Sequence, residues 1–156
     1  MRITELLKSS GIDLTATPTS KEKAIEQLAD LMDRTGCLSD KQAYLKAVLE
    51  REASGTTGLG DGIATPHAKS PAVRQAGLAA MVVKDGLDFE ALDGQPTRLL
   101  FMGRSDKVKG SLLITRNYPN INSRTLPNFT DSRLTIGCIA QGCRRESCYI
   151  LNFEAG

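Results

Sequence analysis

Apolar residues recur at helical spacing in two stretches of the first third of the chain. Ala24, Ile25, Leu28, Ala29, Leu31 and Met32 fall on one helical face, and Gly36 supplies a stop signal. Thr19 and Glu22 stand ahead of that run at the spacing of a capping box. Ser39 with Gln42 repeats the grammar. Ala43, Tyr44, Ala47 and Val48 then form a second stripe, which Ser54–Gly55 ends. Upstream, Ile3 to Lys8 predicts a short helix interrupted at Gly11, and Ile12–Asp13–Leu14 opens an alternating stretch that predicts a strand. Further on the pattern turns to β-type runs. LAAMVV, Leu78 to Val83, predicts one strand, and RLLFM, Arg98 to Met102, another. Asp85–Gly86 and Asp93–Gly94 are turn signals, with a weaker strand or loop over Leu87 to Leu92. Helices come first and strands with short turns follow, so the expected fold is α/β, a mixed sheet flanked by helices.

The texture changes after Met102. Of 20 Lys/Arg and 18 Asp/Glu in the chain, 8 and 4 fall in residues 103–156, leaving 12 and 14 before them. The acidic balance of the first part is thus reversed. Helical periodicity stops, Asn, Pro, Ser and Arg scatter through the segment, and short strands are expected only at Leu112 to Thr115 and Leu134 to Ile139. Cys138, Cys143 and Cys148 are spaced C-x4-C-x4-C, which matches no usual paired zinc spacing, so no metal site is expected. With Cys37 they read as reduced thiols.

At 156 residues one domain over 1–156 is expected, with 103–156 its atypical part. A net charge of +2 argues against nucleic acid or an anionic membrane as partner. No apolar run has the length of a membrane span, and MRITELLKSSGIDL carries no signal-peptide core. The expectation is a cytoplasmic protein.

The candidate chemistry lies in Thr56 to Lys69, TTGLGDGIATPHAK, and His67 is the only histidine of the chain. Gly58, Gly60 and Gly62 permit positive φ and close approach of another group. Pro66 fixes its own φ and pushes Thr65 towards an extended conformation, so His67 is delivered at a defined angle. An ordinary imidazole is largely neutral near pH 7, which suits a nucleophile or proton carrier; the other reading is a histidine that closes a turn. Arg51, at the end of its helix, is either a cation that reaches an anion near His67 or a simple complement to the helix terminus, paired locally with Glu52.

Arg51 to Val73 resembles the phosphorylation-site signature of enzyme IIA domains of the fructose/mannitol class, from the bacterial phosphoenolpyruvate-dependent sugar phosphotransferase system. The residues that carry the likeness are Arg51–Glu52, Thr57–Gly58 and Gly62–Ile63–Ala64–Thr65–Pro66–His67, with Thr65 where isoleucine or valine is common. The later stretch GLAAMVVKDGLDFEALDGQPTRLLFM is similar to the family as well, and the likeness covers residues 1–102. It implies helices on both faces of the sheet. It implies that His67 accepts a phosphoryl group on Nε2 from the phosphocarrier HPr and passes it to a cysteine of enzyme IIB. Arg51, Thr57 and Gly58 would stabilise the phosphate, the last two through an anion-binding nest. No metal, nucleotide or other cofactor is implied.

The family pattern continues into I-A-x-P and a helix with a second histidine, whereas this chain reads Gly103–Arg104–Ser105 and has no second histidine. The change reads as an aberrant or out-of-frame end, which sequencing the coding DNA past codon 102 would test. A fructose-type transport component is the expected function. A nitrogen-regulatory signalling protein, a degenerate domain that no longer transfers, and a remote cysteine-based module at the C-terminus stand as alternatives.

Overall fold

LAAMVV is continuous rather than alternating because its strand is covered on both faces. In the computed structural model, which describes residues 6–104, this run opens the strand β5 (Leu78–Leu87). The chain order is β1 (Leu7–Asp13), α1 (Lys21–Arg34), α2 (Lys41–Ala53), β2 (Gly58–Gly60), β3 (Ile63–Ala64), β4 (His67–Ala68), β5 and β6 (Thr97–Arg104). The six strands form one mixed sheet in the order β1-β5-β6-β3-β2, with β4 also paired to β6. β5 and β6 are antiparallel, while β1 runs parallel to β5 and both β3 and β4 run parallel to β6.

On one face, Ala79, Met81 and Val83 of β5 and Leu100 and Met102 of β6 pack with Ile25, Leu28 and Met32 of α1 and with Tyr44 and Val48 of α2. On the other, Leu78, Ala80 and Val82 are buried with Leu7, and half-buried Ile12, Leu99 and Phe101 join them. Each large side chain so buried contributes roughly 1.5–3 kcal/mol. The six residues expected on the apolar face of α1 are those buried there. Both described helices share one core cluster with one face of the sheet.

Several local expectations are corrected. Ser20, not Thr19, caps α1, accepting from Lys23 N–H at 3.2 Å. Asp40, not Ser39, caps α2, accepting from Ala43 N–H at 2.9 Å. Ser39 is engaged elsewhere, since its N–H and hydroxyl both donate to the Ala72 carbonyl, at 2.8 and 3.0 Å. Ala43, expected in the buried stripe of α2, is exposed, and Glu52 is buried instead.

Leu7 and Lys8, expected in a helix, belong to β1, and Gly11 lies within that strand rather than ending an element. Parallel pairing with β5 overrides the local helical pattern, and the Lys8 ammonium donates to the Thr35 carbonyl at the end of α1, at 3.1 Å. Asp85–Gly86 is not a turn between strands but part of a bulge inside β5. Pairing moves from Val82↔Leu99 to Leu87↔Thr97 across it, and Gly86 takes φ 80°. The strands expected at Leu112 to Thr115 and Leu134 to Ile139, and the three C-terminal cysteines, lie outside the described residues.

Candidate functional site

The glycine-rich stretch folds as a tight hairpin followed by a second short strand. β2 and β3 are antiparallel, joined by Asp61 and Gly62 at φ 52° and 74°. Gly58 serves close approach rather than backbone freedom: a Cβ there would lie 2.8 Å from Ala91 Cα. β3 and β4 pair with β6 in one unbroken register, Ile63↔Leu99, Ala64↔Leu100, His67↔Gly103 and Ala68↔Arg104, each offset by 36 residues. Pairing lapses at Thr65–Pro66, where proline has no N–H to offer, and resumes at His67 without a slip. His67 is therefore seated on a strand beside the central strand. Opposite it, the Gly103 carbonyl accepts from the hydroxyl of buried Tyr44, at 2.7 Å. Burial pushes the Tyr44 phenol well above its ordinary pKa, so it stays a donor.

The imidazole is half-buried, and its Nδ1 lies 2.7 Å from the Thr65 carbonyl oxygen. A carbonyl oxygen only accepts, so Nδ1 carries the hydrogen, and in the neutral imidazole the lone pair is then on Nε2. Thr65 is itself held, its N–H donating to the Thr57 carbonyl at 3.0 Å.

Thr57 is buried, and its N–H and hydroxyl both donate to the Glu52 carboxylate, at 2.8 and 2.6 Å. The Gly58 N–H donates to Thr56 Oγ1 at 3.0 Å. Arg51 is exposed in the last turn of α2, and its guanidinium donates to the Gly55 carbonyl at 3.0 Å. The structure thus brings Thr57, Thr65 and His67 into one hydrogen-bonded series, and ties Arg51 and Gly58 to neighbours of their own. α2, which carries Arg51, packs against β4, which carries His67.

The parts that Glu52 and Lys21 play in this arrangement were not foreseen from the sequence. Glu52 is buried among the residues that hold the loop, and the Lys21 ammonium pairs with it at 3.0 Å. Lys21 also binds Glu90 at 2.6 Å and lies 5.0 Å from the centre of the Phe89 ring. Burial works against the charge of Lys21, but the bonds from Glu90 and Glu52 outweigh it and hold its pKa above the ordinary lysine value. Glu52 is the buried member of the pair, so removing Lys21 leaves a buried carboxylate without its counter-ion. A signal for Glu52 was available: it falls at i+8 from Tyr44 and i+4 from Val48, a lone acid on the buried stripe of α2.

Comparison with known proteins decides the family. The family model described as "Phosphoenolpyruvate-dependent sugar phosphotransferase system, EIIA 2" matches residues 5–112. The chain belongs to this family. The match carries this EIIA 2 chain ten residues past Met102, where the resemblance was expected to stop. A fructose-specific EIIABC component of Bacillus subtilis is 46% identical over 102 residues, 65% of this chain and 16% of that protein's length. The EIIA 2 chain thus corresponds to a small part of that relative. The nitrogen regulatory protein IIA-Ntr of Neisseria meningitidis has a similar solved structure, with 31% identity, a TM-score of 0.62 and coverage of 74% of this chain and 80% of that one. The Escherichia coli complex of enzyme IIAMTL with phosphorylated enzyme IIBMTL shares the fold at a TM-score of 0.64, with 21% identity and coverage of 94% and 97%. Among the described residues of the EIIA 2 chain, no helix is long and apolar enough to cross a membrane.

Proposed function

We propose that this EIIA 2 chain is a cytoplasmic phosphocarrier in which His67 Nε2 takes a phosphoryl group from HPr and yields it to a cysteine of enzyme IIB. The observation that carries the reading is the bond from His67 Nδ1–H to the Thr65 carbonyl, which leaves Nε2 as the nucleophilic nitrogen. In the first step a nitrogen–phosphorus bond on HPr breaks as the Nε2–phosphorus bond forms. In the second that bond breaks as a sulfur–phosphorus bond forms on the enzyme IIB thiolate. Both are in-line transfers between activated donors and need no metal or nucleotide.

Arg51 is assigned as the charge partner of the phosphoryl group. Its bond to the Gly55 carbonyl is exposed and can be exchanged for an anion. Thr57 and Gly58 shape the loop, and direct phosphate contact by either requires its present bond to Glu52 or Thr56 to exchange.

The name of the Bacillus subtilis relative, a fructose-specific EIIABC component, supports a fructose-type pathway and an enzyme IIB partner. The E. coli complex supports the same kind of partner. The likeness to IIA-Ntr supports a second reading, in which the same transfer serves regulation. An enzyme IIB/IIC gene beside this one favours transport, and an orphan gene favours regulation. The absence of a second histidine from the sequence is the feature behind a third, a domain that no longer transfers. Intact mass after incubation with phosphoenolpyruvate, enzyme I and HPr decides whether His67 is an acceptor. An acid-labile adduct on wild type that His67→Ala lacks supports transfer, and no adduct on folded wild type defeats it.

A further inference from the structure

We propose that Glu52 is a positioning residue for His67: acting through Thr57 and Thr65, it sets which imidazole nitrogen carries the proton, and Lys21 holds it in place. Five contacts in sequence carry the inference. Lys21 Nζ pairs with Glu52 Oε1 at 3.0 Å. Glu52 Oε1 accepts the Thr57 N–H and Oε2 its hydroxyl. The Thr57 carbonyl accepts the Thr65 N–H, and the Thr65 carbonyl accepts His67 Nδ1–H. Glu52, Thr57 and Thr65 are buried, so the joints among them lie where water competes little, while Lys21 and His67 at the two ends are half-buried.

The geometry explains why a distant carboxylate governs the imidazole. Thr57 is gripped at both its backbone and its side chain, so its carbonyl has one direction. That carbonyl fixes the N–H side of Thr65. The residue before a proline has a restricted ψ, so fixing the N–H of Thr65 also fixes the aim of its carbonyl. The carbonyl then holds Nδ1 as the protonated nitrogen. Lys21 restrains Glu52 from α1, and is itself held by Glu90 and the Phe89 ring. A purely structural Glu52 would tie the end of α2 to the loop and leave the imidazole tautomer untouched.

The inference deepens the proposed function and rests on it for its kinetic readout alone. His67 is the only histidine, so long-range proton–nitrogen NMR of the full chain labelled at histidine nitrogen reads its tautomer directly. Wild type is expected as the Nδ1–H form. In Glu52→Gln a mixture of the two tautomers is expected, with phosphorylation by HPr slowed by about tenfold to a hundredfold, the scale of a misplaced reacting group. Lys21→Met should shift both readouts in the same direction and by less.

Should Glu52→Gln fail to fold, Thr57→Val removes only the hydroxyl bond to Oε2 and should also mix the tautomers, while Thr57→Ser, which keeps both donors, should restore the wild-type spectrum. A folded Glu52→Gln or Thr57→Val with an unmixed Nδ1–H spectrum overturns the proposal, whatever the rate. If wild type shows the Nδ1–H form but takes no phosphoryl group, the proposed function fails while the tautomer result still judges this inference.

Discussion

β5 with β6 and the β2–β4 segment lie in the same sheet but are held by different forces. The β5–β6 pair is long and apolar on both faces, and its inward residues are buried against α1 and α2. β2, β3 and β4 have three, two and two residues, too few to bury much surface of their own. Polar groups hold them instead: Glu52 on Thr57, Thr57 on Thr65, the Asp93 carboxylate on the Asp61 N–H, and the Gly62 carbonyl on the N–H groups of Arg98 and Leu99. Burial depends on area and little on direction, whereas hydrogen bonds fix direction. The part of the sheet that carries the His67 imidazole is the part built from directional contacts.

Substitutions should separate the two regions. Met81→Ala empties a fully buried position between the sheet and the helices. It should cost roughly 2–5 kcal/mol by denaturant unfolding, with site and scaffold lost together. A folded protein of unchanged midpoint would end the view that β5 anchors the domain.

Gly58→Ala drives a Cβ to 2.8 Å from Ala91 Cα, a backbone atom that cannot swing aside. The expected loss is about 1–3 kcal/mol, with phosphoryl acceptance falling by more than the stability change explains. Wild-type acceptance at wild-type stability would show that the hairpin does not need this approach.

Tyr44→Phe keeps the ring in the core and removes only the bond to the Gly103 carbonyl. Thermal unfolding should register about 1–3 kcal/mol, the cost of leaving a buried acceptor unpaired.

The smallest effect concerns acid. N–H groups of Gln95 and Asp61 hold the Asp93 carboxyl below its ordinary 3.8. Its folded pKa is depressed, so its contribution is complete above the unfolded value and is lost as pH falls through the folded one. Asp93→Asn should flatten that part of the acid limb of a stability–pH curve. Identical acid limbs would remove Asp93 from the account.

What could be read in advance follows the same division. The apolar stripe of α1 was legible because burial writes itself as periodicity in sequence. The bulge at Asp85–Gly86 and the first part of β1, residues 7–11, were not, because pairing with a distant strand overrode what the local residues favour; only the end of β1, at Ile12–Asp13, was expected as strand. His67 stood out as a candidate because it is the only histidine and follows a proline. Its support was half legible. Arg51–Glu52 stands in the sequence as a pair, but nothing there marks the glutamate as the buried member that grips the loop. A charge's burial depends on which counter-ion the fold brings to it, and Lys21 comes from another helix.

The unbroken register of β3 and β4 along β6 also sets an order of events during synthesis. His67 pairs with a residue made 36 positions later. At about 5–20 residues per second, a ribosome takes several seconds to cover that distance, far longer than a hairpin needs to form. A nascent chain that has emerged only as far as β5 already contains its histidine but has no strand on which to seat it. The imidazole reaches its place in the sheet only when β6 leaves the ribosome.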